Sequence, residues 1–222
     1  MAYRRPTVAA IFDMDGLLID SEPLWDRAEL ATLASVGVDV SRRHELPDTL
    51  GLRIDQTVRL WYDAFPWQGP SQADVAERII THTLAQIEAT RPLLPGVEQA
   101  LQRCQQQGLR IALASASPLH MLERVLEIFN LRHYFSALAS AETLPYSKPH
   151  PQVYLDAAAK LDVDPLQCVT FEDSFNGMIA TKAARMRSIV VPAAQHRDDG
   201  RWALAEVKLD SLLALRSEHL FD

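Results

Sequence analysis

A doubly wound α/β fold, with a Rossmann-like parallel sheet and an inserted helical cap, is predicted from three features of the sequence. An apolar run, Val8 to Phe12, ends abruptly in Asp13-Met14-Asp15-Gly16, as a buried parallel strand does where it reaches a ligand crevice. From Val97 onward, helical periodicity alternates with short β-prone runs, the pattern of βαβ units. Between these two regions, residues 21–90 read as helices only. The expected division is therefore a core of residues 1–20 and 91–222 and a cap of residues 21–90.

The cap comes first in order. Ser21 stands at a helix N-cap position with Pro23 in the first turn. Leu24, Ala28, Ala31 and Leu33 share one face, and Gly37 stops the helix. A polar connection with Pro47 leads to a second helix from Arg53 to Phe65, which Pro66 and Pro70 close. Ser71 and Asp74 have capping-box spacing, and Val75, Ile79, Leu84 and Ile87 supply the apolar stripe of a third helix. Trp25, Trp61, Tyr62 and Trp67 read as cap core. Arg91 to Gly96, with two prolines, reads as the linker back to the core.

In the core, a helix from Val97 to Gln107 stops at Gly108. Leu109 to Ala114 is a strand, followed by Ser115-Ala116-Ser117-Pro118 and a helix to about Phe129. Ala137 to Ser140 is a short strand. Lys148-Pro149-His150-Pro151 precedes a helix that ends near Leu161. Cys168 to Phe171 forms a strand ending in Glu172-Asp173, and Ser174 caps the helix that follows. Ser188 to Val191 is the last predicted strand, and Leu212 to Leu220 reads as helical. No internal repeat or low-complexity tract is evident.

Composition narrows the function. A formal net charge of −7 opposes a nucleic-acid surface and favours solubility. No run approaches the ~20 apolar residues of a membrane span. Arg4-Arg5 is followed by too short an apolar stretch for a signal peptide, so a cytoplasmic location is expected. Cys104 and Cys168 read as reduced core thiols. The seven histidines lack metal-ligand spacing, and neither a Gly-rich nucleotide loop nor a Gly-x-Ser-x-Gly elbow occurs.

Chemistry concentrates at four strand ends or loops. Two carboxylates at the lip of a buried strand, Asp13 and Asp15, repel each other unless a hard cation with oxygen ligands intervenes; on its own such a stretch is also an ordinary polar turn. The Ser115 hydroxyl and the N–H groups after it can hold an anion at a helix N-terminus, while Ser117 reads as a simple cap. Lys148, followed by two prolines in a stiff Lys-Pro-x-Pro loop, offers phosphate a point charge, or is a solvated surface lysine. Glu172 or Asp173 can complete a magnesium site with Asp13, or the pair complements a helix dipole. Arg53, after Gly51, is a possible cap contact to substrate, with a surface arginine as the simpler reading.

Taken together, Phe12-Asp13-Met14-Asp15-Gly16, Ser115, Lys148-Pro149-His150-Pro151 and Glu172-Asp173 resemble the four motifs of the haloacid-dehalogenase superfamily, and the helical insert is similar to its α-helical cap. The resemblance covers essentially the whole chain. Within it the chain is most similar to bacterial sugar-phosphate phosphatases of the hexitol phosphatase / 2-deoxyglucose-6-phosphate phosphatase type. It implies a Mg²⁺-dependent phosphatase acting on hexose and hexitol monophosphates through an aspartyl-phosphate. Asp13 is then the nucleophile and Asp15 the general acid and base. The metal is held by Asp13, the Asp15 carbonyl and Asp173, with Glu172 one layer out. Asp13, Asp15, Ser115, Ala116 and Lys148 contact the phosphoryl group. The implied partner is a small sugar or polyol phosphate, and the protein is expected to be a monomer. Halide displacement needs neither a proton nor magnesium, so Asp15 counts against a dehalogenase. A phosphosugar mutase of the β-phosphoglucomutase type is the enzymatic rival, and an inactive phosphate-sensing module the non-enzymatic one. In those mutases a cap-hinge histidine takes part in gating; the same count from Asp-x-Asp falls here on Trp25, which can donate a hydrogen bond but cannot exchange a proton.

Overall fold

The computed structural model describes residues 6–47, 49 and 51–221; the Arg4-Arg5 pair weighed above lies outside them. Six parallel strands form one sheet in the order β3-β2-β1-β4-β5-β6: β1 (Ala9–Phe12), β2 (Arg110–Ser115), β3 (Ala137–Ser140), β4 (Cys168–Glu172), β5 (Arg187–Val190) and β6 (Val207–Lys208). The helices are α1 (Glu22–Ser35), α2 (Ile54–Ala64), α3 (Gln72–Thr90), α4 (Val97–Gln106), α5 (Leu119–Ile128), α6 (Gln152–Lys160) and α7 (Phe175–Ala183).

Strand alternation divides the core into two layers. Ala10 and Phe12 of β1 face the α4–α5 side with Ile111, Leu113, Val169 and Phe171, and the Phe12 and Phe171 rings stack with centroids 4.2 Å apart. Ala9 and Ile11 face the α6–α7 side, where small residues such as Ala112, Ala114, Ala157 and Ala180 let the helices approach closely. A separate cluster holds the cap together: Leu33, Val58, Trp61, Val75 and Ile79 from α1, α2 and α3. The Ser71–Asp74 capping box forms as the spacing predicts.

Four features differ from expectation. Ser21 occupies the N-cap position of α1, but its side chain makes no cap bond; its hydroxyl donates instead to Asp15. The expected C-terminal helix is two 3₁₀ turns, Leu212–Ala214 and Ser217–Leu220. Its buried leucines, Leu212, Leu215 and Leu220, do not keep a 3.6-residue period, and the Ser211 hydroxyl accepts from the Leu213 N–H to start the first turn. The two-residue edge strand β6 went unpredicted because so short an element carries no readable alternation. The polar stretch around Val40–Glu45 is a 3₁₀ helix.

In this strand order the direction of winding reverses between β1 and β4, and the crevice outside their carboxyl ends is where such sheets bind ligands. Asp13 directly follows β1, Glu172 ends β4, and Ser115 ends β2. The sheet alone thus gathers three of the predicted motifs.

Candidate active site

Asp13, Lys148, Glu172 and Asp173 lie together at this crevice, all buried. The Lys148 ammonium donates to Asp13 Oδ1 and to Glu172 Oε1, each at 2.7 Å, and to the Ala114 carbonyl at 3.3 Å. Glu172 also accepts from the Tyr154 hydroxyl, from the Ser174 hydroxyl at 3.1 Å and from the Ser174 N–H at 3.3 Å. Gly177 leaves room for this carboxylate, since a Cβ there would meet it at 1.9 Å. Gly16, at φ +75°, does the same for Asp173, whose Oδ2 would lie 2.0 Å from an added Cβ.

Charge crowding shows in the ionisation behaviour. Burial, aided by Glu172 and Asp15, lifts the Asp13 carboxyl to about 7 although Lys148 pulls it down. Burial, then Glu172 and Asp13, raises Asp173 well above the ordinary range. Burial alone would lower Lys148, but Asp13 and Glu172 reverse this and keep it cationic. Oxygens of Asp13, Glu172 and Asp173 lie within 4.8 Å of one another. An all-carboxylate donor set with one lysine against three acids suits a hard divalent cation. The Asp15 carboxylate is not part of this cluster.

Asp15 is held on the cap-facing side. Its Oδ1 accepts from Ser21 Oγ at 2.6 Å and from the Trp25 indole N–H at 2.9 Å. Its Oδ2 accepts from Ser117 Oγ at 2.7 Å and, more distantly, from Ser115 Oγ at 3.4 Å. Trp25 packs against the cap cluster as the sequence reading expects and also lines the cavity, whereas Ser117, read as a helix cap, donates to the Asp15 carboxylate. The Ser117 contact was missed because its signal lies in a three-dimensional meeting of the loop after β2 with the loop after β1. The Ser115 hydroxyl accepts from the Ser117 N–H at 3.0 Å, and Ala116 lines the cavity beside it.

These groups floor a cavity of about 530 Å³ between core and cap, within the usual range for a small-molecule site. Arg53 lines it, but its guanidinium is engaged: it donates to the Ala141 and Leu144 carbonyls, each at 2.7 Å, and pairs with Asp55. It ties the cap to the core. Gly51 packs nearby on Ser174, 3.0 Å from the hydroxyl to an added Cβ. His196, one of the histidines without metal spacing, lies on the cavity wall.

Known proteins share this architecture. Residues 7–185 match the haloacid dehalogenase-like hydrolases. The chain is 67% identical over 220 residues to hexitol phosphatase B of Escherichia coli, covering 99% of each. It is 31% identical over 188 residues to the fructose-1-phosphate phosphatase YqaB of Escherichia coli, covering 82% of this chain and 94% of that one. Among solved structures, CbbY of Rhodobacter sphaeroides in complex with xylulose-(1,5)-bisphosphate superposes with a TM-score of 0.86 at 28% identity, covering 96% and 99% of the two chains.

Proposed function

This chain belongs to the haloacid dehalogenase-like hydrolases, and on that premise we propose that it hydrolyses hexose and hexitol monophosphates through an aspartyl-phosphate on Asp13. It is a phosphatase. The observation that carries the mechanism is the buried Lys148, bonded to both Asp13 and Glu172. That contact occupies one Asp13 oxygen and orients the other for attack on phosphorus.

In the first step an Asp13 oxygen bonds to phosphorus while the phosphorus–ester oxygen bond breaks. Asp15 gives its proton to the departing sugar oxygen. In the second step a water molecule attacks the same phosphorus, Asp15 takes the water's proton, and the Asp13–phosphorus bond breaks to release inorganic phosphate. Lys148, the Ser115 hydroxyl and the Ala116 N–H hold the phosphoryl oxygens with fixed charge and dipoles. Ser21, Trp25 and Ser117 fix the Asp15 carboxylate from three sides. A bound Mg²⁺, for which the buried carboxylates fit, supplies positive charge to the phosphoryl oxygens; Asp13, Asp173 and the Asp15 carbonyl would hold it, with Glu172 outside. The cap of residues 21–90 covers the sugar and excludes bulk water.

The hydrolytic outcome, rather than phosphosugar mutation, is supported by Trp25, whose indole is a donor only. The same reading makes the protein a cytoplasmic monomer with a diffusible substrate; no described helix is long and apolar enough to cross a membrane. A panel of sugar, polyol, nucleotide and peptide phosphates assayed for phosphate release with Mg²⁺ tests it. Sugar and hexitol monophosphates, 2-deoxyglucose 6-phosphate among them, are expected to lead; faster turnover of nucleotides or phosphopeptides contradicts it.

A further inference from the structure

The cavity has two walls, and apart from the Ser21 and Trp25 contacts to Asp15 the cap wall takes no part in the chemistry above. The cap wall is built on α1, where Glu22, Asp26 and Glu29 recur at helical spacing and all line the cavity. At ~1.5 Å rise per residue the stripe runs about 10 Å away from the reacting carboxylates, comparable to an extended six-carbon chain. Glu29 is buried, and its carboxylate accepts from the Trp61 indole at 2.8 Å. Asp26, at the open rim, pairs with Arg43 at 2.8 Å. Glu22, nearest Asp15, is half-buried, and its carboxylate makes no hydrogen bond to any described residue. Both arginines on the cavity wall are thus engaged, Arg43 by Asp26 and Arg53 by Asp55 and two carbonyls.

We infer that this face of α1 is the tail-reading wall of the active site, accepting an uncharged, hydroxyl-bearing chain beyond the phosphate and excluding substrates with a second anion there. The inference rests on the sugar-phosphatase reading and adds the determinant of its selectivity. Polyol hydroxyls can donate to ionised carboxylates and exchange donor and acceptor roles with protonated ones. An anionic tail meets repulsion if the wall is ionised, and an uncompensated buried charge if it is not. No described arginine on the wall is free to receive it. Burial, then Asp15 and Asp26, raises the Glu22 carboxyl to about 8, in keeping with a group withdrawn from water without a partner of its own.

The test uses a matched pair, sorbitol 6-phosphate and 6-phosphogluconate, which differ only in a terminal alcohol against a carboxylate. With the Mg²⁺-loaded wild type, kcat/KM for the alcohol should exceed that for the acid by tenfold or more (about 1.4 kcal/mol). Glu22→Lys should shrink this ratio by about tenfold, and Glu22→Gln should raise KM for sorbitol 6-phosphate more than it lowers kcat, as loss of a binding contact away from the reacting atoms does. Glu77→Gln, on the exposed face of α3, should move neither. Equal turnover of the pair by wild type, or a ratio unmoved by both Glu22 variants, overturns the inference while leaving the phosphatase reading intact. Turnover of p-nitrophenyl phosphate with none of sorbitol 6-phosphate or other sugar monophosphates instead overturns that reading, and the tail wall with it.

Discussion

The two walls of the cavity are built on different physical terms. On the core side, one lysine and three carboxylates sit at strand ends in the middle of a parallel sheet, nearly sealed from water. The positions are set by strand register, by the Lys148 bridge, and by glycines at 16 and 177 that leave room for the Asp173 and Glu172 carboxylates. On the cap side, polar residues stand on one helix at intervals of a turn, and the Asp26–Arg43 pair is open to solvent. The first arrangement suits a reaction that tolerates no displacement. The second can change residue by residue without disturbing the sheet, as specificity requires.

This contrast gives a ranked set of expectations. The largest effect belongs to the core wall. Asp13→Asn is nearly isosteric but has no nucleophilic carboxylate, so kcat should fall by about 10⁴ or more with circular dichroism and melting temperature preserved; normal turnover would break the account. Next comes the metal. Excess chelator should reduce activity to background and Mg²⁺ should restore it, while Ca²⁺, with its looser coordination, should inhibit; full activity in chelator would show that the acidic cluster acts without a cation.

Stability sharpens the comparison. Lys148→Ala leaves Asp13 and Glu172 buried without their counter-charge and should cost about 3–5 kcal/mol in urea unfolding. Arg43→Ala removes a solvent-screened pair and should cost less than about 1 kcal/mol. Similar losses for the two would erase the distinction between walls. Trp25→Phe removes one of the donors to Asp15 and should lower kcat about tenfold, a loss typical of a hydrogen bond to a charged group. Wild type incubated with β-glucose 1-phosphate and Mg²⁺ should release phosphate without accumulating glucose 6-phosphate.

The last expectation concerns pH. Glu22 titrates near 8 in the folded protein against an ordinary 4.5, so between these values the native state binds more protons than the unfolded one. Stability therefore falls as pH rises across that window. Glu22→Gln should remove this slope, becoming more stable relative to wild type from pH 4.5 to pH 8; parallel stability curves would contradict the burial of this carboxylate.

Much of the core was legible in the sequence because its signals are local. An apolar run ending in Asp13-Met14-Asp15-Gly16 and an acid pair after a strand each mark a strand end, a lysine followed by two prolines marks a stiff loop, and parallel topology brings strand ends together. The parts that were not legible depend on one element meeting another. Ser21 has the residue type and position of an N-cap, but the nearby Asp15 offers its hydroxyl a stronger acceptor. Ser117 precedes a proline at a helix start, and only the fold reveals Asp15 above it. Arg53 was read as a possible cap contact to substrate or a surface arginine; it lines the cavity, but the carbonyls of Ala141 and Leu144 that engage it are about ninety residues away. The Glu22, Asp26 and Glu29 stripe was not singled out, because acidic residues on a helix ordinarily face solvent, and only the position of the core beneath α1 turns them inward.

The central claim is that hydrolysis proceeds through a phosphorylated Asp13. Acid quenching during turnover of sorbitol 6-phosphate, followed by borohydride reduction and peptide mass spectrometry, tests it directly. The account predicts homoserine at position 13 and at no other aspartate, dependent on both substrate and Mg²⁺. Undiminished turnover with position 13 unreduced, or reduction at a different carboxylate, would contradict it.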